Sequence, residues 1–173
     1  MKKKIFITGM PGTGKSTVVK KLAEKGIFPI DADSIAGLTY WIDKETKQRS
    51  EWNPGMSEGW YKRHQYVCDK EKLADMIKNS PVEIVAVAGL FNNRFELYDL
   101  FDKVFLLYCP EEVFIKRITE RENHYFGKHI LDQTNILSWH RNFEKELREE
   151  GAFPISTDRS ILEVVNEILA NIE

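Results

Sequence analysis

Short apolar runs alternate along the chain with longer stretches in which apolar residues recur at helical spacing. Residues 4–8, 27–31, 83–88, 104–108 and 152–156 are compact, β-branched or aromatic, and predict strands. Residues 15–25, 94–101, 111–122 and 132–150 predict helices, the last carrying Ile136, Phe143 and Leu147 on one side. Beyond the fifth strand, Leu162, Val165, Ile168, Leu169 and Ile172 predict a closing helix, and Ser160 and Glu163 have the spacing of a capping box at its start. Strands alternating with helices predict an α/β chain built on a parallel sheet. Between residues 31 and 83 the rhythm is lost in a long polar and aromatic segment.

Two prolines refine the picture, because proline has no N–H for a sheet ladder and is tolerated mainly on edge strands. Pro29 lies in the second strand and Pro154 in the fifth, so these two are expected at the edges. A chain of 173 residues is the size of one domain, spanning 1–173. Lys and Arg number 25 against 27 Asp and Glu, a net charge of −2, which gives no surface suited to the backbone of a nucleic acid. Cys68 and Cys109 match no metal or disulfide spacing, which fits a reducing compartment and half-buried, unreactive thiols. The first apolar run is too short for a signal peptide or a membrane span, so a cytoplasmic protein with no membrane association is expected, as a monomer or a homodimer.

The first strand runs into a glycine-rich turn. Gly9, Met10, Pro11, Gly12, Thr13, Gly14, Lys15 and Ser16 satisfy the pattern G-x-x-x-x-G-K-S/T, and Thr17 follows in a helix with Val18, Val19, Leu22 and Ala23 on one side. Glycines let the chain turn back with its amides pointing inward, close to phosphate oxygens. In this pattern Lys15 reaches the β- and γ-phosphates and the Ser16 hydroxyl faces Mg²⁺. A chance match in a chain this long is expected roughly 1% of the time or less.

At the end of the second strand Asp31 and Asp33 start on the same side of the chain, in the crevice that the loop faces. Asp31 is the candidate to orient Mg²⁺, with Ser16, and Asp33 to accept a proton from an attacking hydroxyl or to position it. The structural alternative is that Asp33 or Ser34 caps a following helix. The third strand ends in Ala88 and Gly89 with no acid, so metal control falls to Ser16 and Asp31 or Asp33. Gly89 fits either a close approach of backbone to ligand or a tight turn.

Pro110 opens a helix whose apolar side is Val113, Phe114, Ile115 and Ile118, leaving Arg117 and Arg121 one turn apart. Two guanidinia at that spacing on a shared face can clamp a polyphosphate and neutralise the transferring group; Glu120 and Glu122 are their alternative partners. Residues 122–131 separate two helices with polar, aromatic and glycine residues, and predict a short lid carrying Lys128, with His124 and His129 as polar lid residues. Residues 38–80 hold Trp41, Trp52 and Trp60 with Tyr40, Tyr61 and Tyr66, a density that suits either the wall of an acceptor pocket or the packing of helices on the sheet. Arg49, Lys62, Arg63, His64 and Gln65 are the polar groups available there.

The loop, the Asp31–Asp33 pair, the sequence RITER at 117–121 and the run FPISTDRSILEVVNEI from Phe153 together resemble, in that order, the P-loop small-molecule and nucleotide kinases of the adenylate kinase, shikimate kinase and gluconate kinase group. Trp52, RENHYFGK and the STD near the end are similar to small bacterial proteins labelled AAA-type ATPases or nucleoside kinases. The resemblance implies a three-layer P-loop fold with a five-stranded parallel sheet of order 2-3-1-4-5, an insert at 38–80 and a lid at 122–131. It further implies ATP and Mg²⁺, catalytic roles for Lys15, Asp33, Arg117 and Arg121, and a nucleotide-side loop including Thr157 and Asp158. The glycine triplet of shikimate kinase and the acidic turn of adenylate kinase are both missing after strand three, so a small-molecule acceptor is expected but not named. Two alternatives stand beside a hydroxyl acceptor: a nucleoside monophosphate acceptor held by Arg49 or Arg63, and a nucleotide switch or weak ATPase acting on a protein partner.

Overall fold

The computed structural model describes residues 2–122 and 125–172. Five strands, β1 (Lys3–Thr8), β2 (Phe28–Asp31), β6 (Ile84–Ala88), β7 (Lys103–Tyr108) and β8 (Phe153–Ser156), form one parallel sheet in the order β2-β6-β1-β7-β8. Counted by themselves these strands follow 2-3-1-4-5, as expected; the chain numbering jumps because the 31–83 segment adds strands of its own. Pro29 and Pro154 sit on the two edge strands, where a missing N–H leaves no gap in a ladder.

The central strand shows why the sheet is covered on both sides. Ile5 and Ile7 point into a core shared with helices α1 (Lys15–Ala23) and α7 (Ile161–Ala170), while Phe6 points into a second core with α3 (Lys70–Lys78) and the short α4 (Arg94–Leu97). All three side chains are fully buried, the period-two pattern of a strand between two helical layers. Helices α5 (Glu111–Glu120) and α6 (Ile130–Glu149) pack together through Phe114, Ile118 and Ile136 beside the loop residue Met10. The capping box of α7 is present in full. Its buried face runs through Val164, Val165 and Ile168, whereas Leu162 is 53% exposed. At about 100° per residue Leu162 falls off the side of the stripe on which it was expected.

The segment after Asp31 differs from the packed helices that were one expectation for it. A single 3-10 turn (Ala32–Ser34) leads into a three-stranded antiparallel sheet, ordered β4-β3-β5, of β3 (Thr39–Asp43), β4 (Arg49–Ser50) and β5 (His64–Cys68), with the short helix α2 (Glu58–Arg63) before β5. The excursion closes where Asp69 N donates to Leu38 O at 2.9 Å, and α3 then returns to the core through Leu73 and Ile77. Two asparagines after β6 dock it to the main sheet. Asn92 Oδ1 accepts from Tyr66 N at 2.7 Å, and Asn93 pairs with both the N–H and the C=O of Cys68 at 3.0 and 2.9 Å, so amide side chains stand in for a strand beside β5. Gly89 serves this turn: a β-carbon there would lie 1.9 Å from the Phe91 ring, which packs on Phe6.

Candidate active site

The loop between β1 and α1 is set by local chemistry. Gly12 has φ +84° and a β-carbon there would meet Phe114 O at 2.5 Å; Gly14, at φ +94°, caps α1 with open space on its outer side. Both conformations are accessible to glycine at little steric expense. Thr13 Oγ1 donates to Met10 O at 2.8 Å, which closes the turn from inside, and the Met10 side chain is buried in the core below it. Pro11 is buried as well, while Ser16 and Thr17 stand exposed at the helix N-terminus, where the first N–H groups of α1 have no partner in the helix.

Lys15 folds back over this loop, its Nζ donating to Gly9 O at 2.7 Å and Met10 O at 3.1 Å. Burial draws its ammonium down to about 8; Asp33 and Asp31 pull the other way, and Arg121 adds to the depression. These four side chains therefore share one electrostatic environment. A helix N-terminus with Ser16 and Thr17 exposed, a lysine folded over the loop and the open space at Gly14 fit a polyphosphate. The Ser16 hydroxyl and the Asp31 carboxylate are oxygen donors suited to Mg²⁺, which takes few protein ligands and fills its shell with water and phosphate oxygens. Among the described residues no group of three or more His, Cys, Asp or Glu side chains is arranged to hold a metal by itself.

The state of Lys15 makes a prediction. A triphosphate favours the ammonium, so a lysine part-deprotonated above about pH 8 must take up a proton when ATP binds. Calorimetry in buffers of different ionisation enthalpy is expected to show proton uptake that grows as pH rises through this value, and Lys15→Met is expected to remove it.

Asp33 is held from the far side. Tyr66 Oη lies 2.8 Å from Asp33 Oδ1 and 2.6 Å from Thr39 Oγ1. Burial, reinforced by the Asp33 carboxylate, pushes the Tyr66 phenol well above its ordinary range, so it remains a proton donor. Sequence reasoning missed Tyr66 as a partner of Asp33, because the two are joined only by the pairing of β3 with β5. Burial also raises both thiols, Cys68 to about 12, which agrees with inert cysteines.

The two arginines do not share a face. Helix α5 stops at Glu120, and Arg121 is already extended at ψ 137°, so the spacing argument fails at its last residue. Arg117 turns to the loop after β8, bonding Thr157 O at 3.0 Å and Thr157 Oγ1 at 3.3 Å; the adjacent Asp158 is exposed. Arg121 turns toward Lys15 and Asp33, where burial lowers its pKa against the pull of Asp33. Its guanidinium donates to Phe126 O, and its Nε is buried without a hydrogen-bond partner. Neither arginine forms an ion pair with Glu120 among the described contacts; Glu120 pairs with Lys116. Lys128 is exposed, and His129 caps α6 through Nδ1, accepting from Leu131 N at 3.2 Å. His124 lies outside the described residues.

A further residue absent from the sequence reading joins lid and insert. Asp132, only 1% exposed, accepts from Gly55 N and Tyr61 Oη on Oδ1, both at 3.2 Å, and from Gly127 N on Oδ2 at 3.4 Å. Three chain segments are thus pinned by one carboxylate. Asp132→Asn sets an amide N–H among these donors and is expected to lower stability by roughly 1–3 kcal/mol, read as a fall in the denaturation midpoint. Helix α6 gave no sequence signal of this role, because an Asp in a first helical turn is ordinarily explained by the helix dipole.

A parallel sheet with a glycine-rich loop at the end of its central strand, a lysine over that loop and exposed helix-terminal amides define a P-loop nucleotide-binding protein. Residues 5–149 match the family described as AAA domain, and the chain belongs to that family. No curated protein sequence matches it. Among solved structures it is similar to a gluconokinase from Sinorhizobium meliloti 1021, at 20% identity and TM-score 0.59 over 98% of this chain and 91% of the other. It is also similar to a shikimate kinase from Acinetobacter baumannii in complex with shikimate, at 19% identity and TM-score 0.59 over 99% and 95%. A deoxyadenosine kinase from M. mycoides with bound dATP aligns at 16% identity and TM-score 0.59 over 99% of both chains. At these identities the likeness is one of fold, the P-loop kinase fold that the sequence resembled. No helix among the described residues is long and apolar enough to cross a membrane.

Proposed function

We propose that the protein is an ATP- and Mg²⁺-dependent kinase that phosphorylates a hydroxyl group of a small molecule. The observation that carries this reading is the grouping of Lys15, Asp33 and Arg121 around the mouth of the loop, with Tyr66 fixing Asp33 from the insert side.

In this reading the loop amides from Gly9 to Thr17 and the Lys15 ammonium would hold the phosphates, and Ser16 and Asp31 would hold the Mg²⁺ ion. Bound MgATP supplies an electrophilic γ-phosphorus whose charge the ion shares. Asp33 orients the acceptor hydroxyl and takes its proton as the new O–P bond forms and the bond to the β,γ-bridging oxygen breaks, releasing ADP and the phosphate ester. Arg121 faces the charge on the transferring group, and Lys128 lies on the lid able to approach it. Arg117, tied to Thr157 beside Asp158, supports the nucleotide end of the cleft.

The test is ADP release, with and without candidate acceptors. Acceptor-dependent ADP formation with matching phosphate ester supports a kinase. ADP formed at the same rate with every acceptor, and accelerated by a protein partner, would replace this reading with an ATPase or switch.

A further inference from the structure

We infer that the acceptor is an electrically neutral molecule whose reacting hydroxyl is carried beside a flat ring face, and that stacking rather than a charge clamp selects it. This deepens the kinase reading above and rests on it.

The inference starts from the wall that adjoins Asp33. Tyr66, bonded to that carboxylate, stands cross-strand from Trp41 with ring centroids 5.2 Å apart. Trp41 meets Trp60 at 4.9 Å, and Trp52 carries the aromatic surface to Phe126 of the lid turn at 5.4 Å. Aromatic rings thus extend from the candidate base to the element that holds Arg121 through the Phe126 carbonyl. Trp41, Trp52, Trp60 and Tyr66 are half-buried, so each keeps part of its surface for a ligand. Rings of this kind bind a flat π-face or the apolar face of a sugar by offset stacking and area burial.

Arg49, Lys62 and Arg63 of the insert are directed elsewhere. Arg49 lies over Tyr40 at 3.9 Å, and Tyr40 alternates with Trp41 along β3, so that guanidinium is on the opposite face of the small sheet. Arg63 binds Asp43 at 2.5 Å, at the end of β3 remote from Thr39, about 13 Å along the strand. Asp43 needs that partner, since it is buried and also caps the turn through the Glu45 and Thr46 amides. Lys62 pairs with Glu58 on the exposed side of α2. A phosphate or carboxylate laid on the wall would shed water against rings with none of these three cations as its counter-charge, an unfavourable exchange. Lys15, Arg121 and Lys128 do not repair this, because the triphosphate and the transferring group engage them in the reading above. A neutral ring meets no such penalty.

Two sources share this chemistry, neutral nucleosides and neutral sugars or glycosides, and one panel separates them. ADP release and phosphate-ester formation are measured at saturating MgATP with nucleosides, neutral glycosides, nucleoside monophosphates and hydroxy acids, on the wild-type chain, Trp41→Ala and Trp41→Phe. The expected result is that a neutral class is phosphorylated in preference to both anionic classes, that its KM rises about tenfold in Trp41→Ala, and that Trp41→Phe recovers most of the loss. Should Trp41→Ala fail to fold, Trp60→Leu takes its place with the same expectation. Preferred phosphorylation of a monophosphate or hydroxy acid overturns the inference while leaving the kinase reading intact. A neutral acceptor whose KM is indifferent to both wall substitutions overturns the stacking mode. Failure of every class to raise ADP release above the rate with MgATP alone overturns both.

Discussion

Asp33→Asn is expected to lower turnover by roughly 10²-fold or more with little change in the affinity for ATP. The amide is the same size, and it can still accept from Tyr66, which lies 2.8 Å away and stays protonated because burial raises its pKa. The bond from Tyr66 is therefore preserved, and what disappears is the ability to take up a proton. Loss of Asp33 also removes an attraction that supports the ammonium of Lys15, so the lysine pKa moves further down from about 8. ATP binding by the variant should accordingly take up more protons than the wild type just below that pH. Steady-state kinetics and buffer-dependent calorimetry check both halves. An Asp33→Asn enzyme with wild-type turnover would remove the residue from the chemistry.

Arg121→Met is expected to have the other large effect, a fall in turnover on the order of 10³-fold. The guanidinium is fixed by the Phe126 carbonyl, close enough to Asp33 and Lys15 to influence and be influenced by them, and its buried Nε has a donor to spare for an oxygen. Methionine fills much the same space without charge or N–H. Arg121 depresses the Lys15 pKa, so its removal raises that pKa and reduces proton uptake on ATP binding, the opposite of Asp33→Asn. Arg117→Met should act differently: with its anchor on Thr157 lost, the KM for ATP rises and turnover changes less. Equal losses of turnover in the two arginine variants would count against assigning the transferring group to Arg121.

The nucleotide-binding frame of this protein was readable because its determinants are local. A strand, a loop and a helix follow one another within the first 23 residues, the prolines of β2 and β8 mark edges by a missing N–H, and Ser160 caps α7 three residues from Glu163. The insert, proposed above as the acceptor side, depends on pairings between distant residues. Thr39 meets Cys68, Asn93 takes the place of a strand beside β5, and Asp132 gathers Gly55, Tyr61 and Gly127, none of which periodicity can announce. Arg117 and Arg121 show the same limit at short range. Their spacing held only as long as the helix did, and the helix ended one residue early.

The hydrogen bond between Leu38 and Asp69 has an evolutionary and engineering consequence. Because the chain leaves and re-enters the main fold at adjacent points, residues 38–69 act as one interchangeable cassette whose loss or exchange need not lengthen the path of the remaining polypeptide. Its polar fasteners include the amides of Asn92 and Asn93 and the Asp33 carboxylate on one side and the Asp132 carboxylate on the other, beside the ring contacts of Trp52 with Phe126 and Tyr61 with Trp139. A transplant that keeps these partners, and a tyrosine at position 66 for Asp33, would exchange the aromatic surface while leaving the glycine-rich loop and its sheet in place.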